Sequence, residues 1–356
     1  MKIIKFGGST FKNENDIFKT IEFIQNLHTN NTEIVIIISA FDKFTSILNE
    51  IVNNIISQPT QFNYEFNKIK LFISKFININ RNSVILNRLS EIEELLYAIS
   101  ILEECSKKVL DSLISIGDLI SSEIFYLKLM ESGIYCHLIN ARKVFVTDEN
   151  YGNAGILFDK TLTNIRSNIK GNINVIAGFI GASANGNPTT LGMENSNLSA
   201  ILCSIALETK NCEYFTDTNG IFEIDPKIAS SESVENINYE DALTLSKMGL
   251  KQFTIEQITL AKQYDIELTY CNLENLSIKT HINNAKSSFK NIIIVKNNGI
   301  EILIKNMNEF LSIISSFESK DMSKIEINFT NSIIRINSNI YPSDFINKLY
   351  LILHQK

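Results

Sequence analysis

Tryptophan is absent from this 356-residue chain, and both cysteine and histidine are sparse. The five cysteines, Cys105, Cys136, Cys203, Cys212 and Cys271, are odd in number, far apart and never in a C-x-x-C pair. That argues against a disulfide framework or a thiolate zinc site and suits reduced, buried thiols in a cytoplasmic protein. The four histidines, His28, His137, His281 and His354, are equally scattered, which argues against a histidine-built metal centre. No stretch approaches the ~18 uninterrupted apolar residues of a membrane span. The opening MKIIKFGGST has no apolar run long enough for a signal peptide. Excess positive charge is lacking too: the net charge of -6 offers no basic face to nucleic acid or a membrane surface. Neither the G-x-x-x-x-G-K-S/T loop nor the G-x-G-x-x-G fingerprint occurs, and no short-period repeat or low-complexity linker is present.

What is present is a globular composition, 44% hydrophobic with 20% charged residues, able to bury a sizeable core. The length accommodates one large domain and a small one, or two of middling size. Strand-like runs alternate with helical spacing from the start. Lys2–Phe6 is a β run, and residues 14–27 repeat Ile17, Ile21 and Ile24 at helical spacing. Residues 34–39, IVIIIS, are nearly all β-branched, as a strand buried on both faces should be. Helical pattern then covers 45–101, with breaks, and 112–130. Further strands are expected at 134–138, 174–179, 212–215 and 266–271. This alternation predicts an α/β fold: a mostly parallel open sheet sandwiched by helices, with ligands at the carboxyl ends of its strands. The pattern changes near Ser287. We therefore expect a catalytic domain over 1–287 and a small α+β module over 288–356, with helices at 308–317 and 343–354.

The candidate loops leave these strands. Lys5-Phe6-Gly7-Gly8-Ser9-Thr10 could let backbone amides approach a phosphate while Lys5 supplies a point charge; alone it reads equally as a turn. Residues 39–45 end in Thr45, which could cap the next helix. Asp118, inside an apolar helical stretch, could bind an amino group or face solvent. Residues 178–197 combine glycines, Thr189 and Thr190, and a helix start near Ser196, where free amides favour an anion; alone they read equally as a long surface loop before a capped helix. Asn219-Gly220 reads as a hairpin turn, although Asp217 and Lys227 could equally hold a nucleotide.

Taken together, KFGGST, IVIIISAFDKFT, SIGDLISSEIF, GFIGASANGNPTTLGMENSN, FTDTNGIFEIDPK and YEDALTLSKMGLKQFTIEQI resemble, in order and spacing, the motifs of the aspartate kinase family over about residues 1–285. The resemblance implies the amino-acid-kinase fold and transfer of the ATP γ-phosphoryl group, with Mg²⁺ carried on the phosphates, to the side-chain carboxylate of L-aspartate. It implies a homodimer and the entry step to lysine, threonine and methionine. By position, Lys5 would serve the transferred group, and Lys5, Gly7, Gly8 and Ser9 would hold the phosphates. Thr216, Asp217, Phe222, Lys227 and Lys251 would hold the nucleotide, and Thr45, Asp118, Phe179, Ser196 and Asn197 the amino acid. The tail resembles a single, truncated ACT-type module.

The chain also departs from the family. Met193 stands where the family has an arginine and Asn197 where it has an aspartate. Asp118 replaces a glutamate, Phe222 a tyrosine and Lys227 an arginine, while Thr254-Ile255 replaces His-Pro. Removing one partner of a buried charge pair costs about 2–5 kcal/mol, so weakened activity is expected. The alternatives are a nucleotide-binding pseudokinase and a kinase for another small acid on the same fold.

Overall fold

The structure is a computed structural model that describes residues 1–28, 32–192, 195–296, 299–304, 326–330 and 333–337. The chain divides into two compact units, Met1–Asp217 with Tyr264–Leu268, and Thr218–Gln263 with Thr269–Lys356. The two expected tail helices, at 308–317 and 343–354, lie outside the described residues.

In the first unit, strand β1 (Lys2–Phe6) is followed by α1 (Glu14–His28) and β2 (Ile34–Ile38). Helices α2 (Phe44–Ser57), α3 (Phe62–Ser74), α4 (Ser83–Leu102) and α5 (Lys107–Glu131) follow. Then come β3 (His137–Ile139), α6 (Ala141–Val144), β4 (Val146–Thr147), α7 (Phe158–Asn168), β5 (Ile173–Ala177), β6 (Ile180–Ser183) and β7 (Pro188–Thr190). Helix α8 (Ser196–Ala206) and β8 (Asn211–Phe215) complete the unit's main elements.

The sheet order is β8-β1-β2-β5-β3, and every pairing is parallel. Every residue of β2 and β5 is buried, as the β-branched run predicts for strands covered on both faces. Parallel pairing brings the carboxyl ends of β1, β2, β5 and β8 to one edge, the edge expected to bind ligand. Beneath it, Phe6 stacks on Phe215 at 5.0 Å and packs near Phe11 and Phe125, while Phe11 meets Phe41 at 4.8 Å. Such aromatic pairs add about 0.5–1.5 kcal/mol each beyond area burial. They root the loops after β1, β2 and β8 in one rigid cluster.

Helix α5 starts five residues before the expected position because Ser106 caps it, accepting a hydrogen bond from the Val109 amide. Thr45 caps nothing. It sits inside the first turn of α2, whose preceding residue Lys43 makes no side-chain cap.

The second unit contains β9 (Ile221–Phe222), β10 (Ser233–Val234), β11 (Asn236–Asn238), α9 (Tyr239–Met248), all but the last residue of α10 (Ile255–Tyr264), all but the first two residues of β12 (Glu267–Asn272), and β13 (Asn275–Asn283). The strands run in the order β11-β13-β12. Asn219-Gly220 does not close the expected hairpin. Strand β9 instead pairs antiparallel with β10, because the Ile221 amide turns to donate to Thr280 Oγ1 at 2.8 Å. The tail strands β14 (Asn291–Lys296), β15 (Gly299–Ile304), β16 (Glu326–Thr330) and β17 (Ile333–Asn337) form an antiparallel sheet, β14-β15-β17-β16. Among the described residues no helix is long and apolar enough to cross a membrane.

Candidate active site

The loop after β1 is fastened on both sides. The Gly7 amide donates to Phe215 O at 2.9 Å, and Thr10 Oγ1 donates to the same carbonyl at 3.3 Å. Ser9 Oγ donates to Asp217 Oδ1 at 3.0 Å, so Ser9 and Asp217 are brought together as the sequence reading expects. On the β2 side, the Asp42 amide donates to Gly8 O at 2.8 Å. A Cβ on Gly8 would lie 2.2 Å from Ala40 O and 3.0 Å from Asp42 O, so only glycine fits there. Gly7 needs no such exemption, but the position of its absent Cβ is only 3.6 Å from Lys5 Nζ. The ammonium therefore reaches forward beneath the glycine pair.

Lys5 is 8% exposed, and burial lowers its pKa to about 8, an effect partly opposed by Cys212 and by the carboxylate of Asp118. Asp118, 1% exposed on α5, does not face solvent. Burial pushes its carboxyl up to about 8, opposed by the Ala40 amide and by Lys5. Its Oδ1 accepts from the Ala40 amide at 2.9 Å, while Oδ2 is buried with no hydrogen-bond partner among the described residues. One turn on, Ser121 Oγ accepts from the Phe41 amide at 3.0 Å and donates to Gly117 O. Asp118 and Ser121 together clamp the loop that leaves β2. Beside it, Ser39 Oγ is likewise buried without a partner. Sequence reading missed Ser121; its spacing of three residues from Asp118 along one helix face was the available signal.

The loop after β5 is strained where it turns. Phe179 has φ +69, a left-handed conformation rare for a bulky side chain. It is held by two bonds: its amide donates to Ser199 Oγ at 3.2 Å, and its carbonyl accepts from the Leu191 amide at 2.9 Å. Gly178 lets Ser196 approach, since a Cβ there would lie 3.2 Å from Ser196 Cβ. Ser196 opens α8, as expected, and Asn197 follows it, 8% exposed, its carbonyl accepting from the Tyr214 hydroxyl at 3.3 Å. Met193 lies outside the described residues.

Thr45 is half-buried in the first turn of α2, and Thr216 is half-buried just after β8. Of the remaining nucleotide-site candidates, Phe222 is half-buried on β9, while Lys227 and Lys251 are exposed. These three belong to the second unit. Among the described residues no group of His, Cys, Asp or Glu is placed to hold a metal ion.

Comparison with known proteins finds relatives along the whole chain. The bifunctional aspartokinase/homoserine dehydrogenase of Buchnera aphidicola is 28% identical, covering 99% of this chain and 46% of that protein. An aspartokinase of Helicobacter pylori is 33% identical over 50% of this chain and 44% of its own length. The chain thus spans about half the length of the curated relatives it matches. Among solved structures, aspartokinase III of Escherichia coli in complex with aspartate and ADP superposes with a TM-score of 0.74 at 17% identity, covering 96% of this chain and 79% of that one. The same enzyme with lysine and aspartate gives 0.71. That likeness shows a shared fold. Residues 1–271 match the amino acid kinase family, and with the loop geometry above, the chain belongs to that family.

Proposed function

We propose that this chain is an aspartate kinase, transferring the ATP γ-phosphoryl group to the side-chain carboxylate of L-aspartate to give 4-phospho-L-aspartate. The carrying observation is the buried Lys5 ammonium under the Gly7-Gly8 loop, close enough to Asp118 to interact with its carboxyl group, whose buried Oδ2 has no hydrogen-bond partner among the described residues. Buried polar atoms are rarely left unpaired in native proteins, and a catalytic role is one of the reasons for an exception. Phosphoryl transfer needs positioning and charge neutralisation more than covalent help. Lys5 supplies a fixed positive charge, Gly8 keeps the loop close to the strand ends, and Ser9 with Asp217 borders the phosphates.

Asp118, Phe179, Ser196 and Asn197 border the amino acid, with Thr45, while Thr216, Phe222, Lys227 and Lys251 serve the nucleotide. Mg²⁺ fits as a passenger on the phosphates, since it keeps most of its waters and needs no protein cage; bound there, it neutralises phosphoryl oxygens. The product would enter the lysine, threonine and methionine routes, and the protein would act as a cytoplasmic homodimer. Asn197 in place of an acid, and Met193 in place of a guanidinium, should weaken the acceptor site. The aspartokinase relatives favour aspartate over another small acid, and a pseudokinase has no observation in its favour beyond those two positions.

A coupled ADP-release assay on the purified chain, scanned across aspartate, glutamate and other small acids, tests the reading. ADP release that depends on aspartate is expected. In the same assay, Met193→Arg with Asn197→Asp should raise kcat/KM for aspartate by about tenfold or more, since each charge-assisted contact regained is worth 1.5–3 kcal/mol in round terms, roughly a decade or two. ATP binding with no turnover on any acid would overturn the reading.

A further inference from the structure

Asp111 is a carboxylate for which neither the sequence reading nor the reaction above has a use. It lies on α5 two helical turns before Asp118 and is 1% exposed. Both its oxygens are engaged by loops of the same unit. Oδ2 accepts from the Gly152 amide at 2.9 Å and from the Thr190 amide at 3.0 Å. Oδ1 accepts from Thr190 Oγ1 at 2.8 Å. Hydrogen bonds to an ionised group are short and about twice as strong as neutral ones. This one side chain therefore pins the end of β7, where the loop toward α8 begins.

What Asp111 holds, Thr190 passes on. The Thr190 carbonyl accepts from the Ala154 amide at 2.8 Å, and the neighbouring Thr189 hydroxyl meets Thr147 Oγ1 at 2.7 Å. The next residue, Leu191, donates its amide to the Phe179 carbonyl, and Phe179 is the residue held at φ +69 beside Ser196. Gly192 then turns at φ +83, so close to Asn153 that a Cβ would lie 2.1 Å from its Oδ1. The positions of Phe179 and of Leu191-Gly192 are thus both referred to α5 through Asp111. The same helix fixes the loop after β2 through Asp118 and Ser121.

We infer that Asp111 is a positioning residue for the acceptor side of the site: through Thr190 it sets the placement of Phe179 and so the affinity for the amino acid, leaving nucleotide binding untouched. The inference rests on the aspartate kinase reading for the identity of the acceptor, but not for the loop geometry.

The test uses the full chain and two readouts. Asp111→Ala should raise the KM for aspartate roughly tenfold to a hundredfold, the scale of a misplacement of about 1 Å, while the KM for ATP moves less than about threefold. Hydrogen exchange should quicken in peptides spanning residues 150–154 and 188–192 and stay unchanged in those spanning 40–44. Asp111→Asn should restore both readouts, because its oxygen can accept from the two amides while its NH₂ donates to Thr190 Oγ1. A merely structural role would raise both KM values together or quicken exchange across the whole sheet, and either result overturns the inference. So would an Asn variant as impaired as the Ala variant. If Asp111→Ala does not fold, Thr190→Val removes only the hydroxyl bond and should raise the aspartate KM about three- to tenfold; no change would overturn it. If the wild type turns over no acid at all, the functional reading fails while the exchange comparison still decides the role of Asp111.

Discussion

Lys5 and Asp118 are ionisable groups in a site that would rather hold neither charge, and each ends near pH 8. The consequence has a definite sign. Asp118 has its folded pKa above its ordinary 3.8, so the folded state holds the proton more tightly and stability falls as pH rises from there to about 8. Lys5 has its folded pKa below its ordinary 10.5, so the unfolded state holds the proton more tightly above about 8 and stability rises again toward 10.5. The pair should therefore impose a stability minimum near pH 8 in thermal melts. The minimum should vanish in Lys5→Met with Asp118→Asn. Lys5→Met alone should cost roughly a hundredfold or more in kcat, the scale set by removing one preorganised charge partner, with no loss of Tm at pH 7. Activity of the wild type should decline above about pH 8 as the ammonium is lost. An unchanged pH profile in the Lys5 variant would sink the assignment of that charge to the phosphoryl group.

Among the elements, the strand ends were legible and the grip between them was not. The β-branched run of β2 and the serine that opens α8 could be read directly, because burial on both faces and helix starts leave local marks. Asp111 leaves none. Its partners lie 41 and 79 residues away and meet it only when the chain has folded back. Asn219-Gly220 misled for the same reason, since its local preference for a hairpin yields to a bond with Thr280, 59 residues on. Gly8 sits between these cases: its presence could be read, but not the Ala40 carbonyl that requires it. Gly8→Ala should force β1 and the β2 exit apart, at a cost of about 1–3 kcal/mol in stability as for other overpacked sites. ATP affinity, by calorimetry, should fall with it. Gly7→Ala, 3.3 Å from its nearest neighbour, should be milder. Equal tolerance of both would mean the loop is not held as described.

At the scale of the molecule, we propose that residues 288–356 are a module separable from the kinase portion. Ser287 and Ser288 are tied to residues 236–238, with the Ser288 amide donating to Asn236 O at 2.9 Å, so the join should resist cutting there. Lys286 and Lys290 flank it and are exposed. Trypsin should thus leave a fragment ending at Lys286 or Lys290 that still binds ATP. If nucleotide binding disappears with the tail, the module is part of the site rather than an appendage.

The position of β1 carries a consequence for synthesis. Strand β1 lies inside the sheet, between β2 and β8, yet is translated long before β8, and Ser9 waits for a partner 208 residues later in the chain. At about 5–20 residues per second, that delay is roughly 10–40 s of translation. For all of it one edge of β1, with its apolar Ile3, Ile4 and Phe6, lacks the strand that will cover it. Nascent chains stalled before Phe215 should be the aggregation-prone, chaperone-bound species, and the loop after β1 should acquire its shape only once β8 has been made.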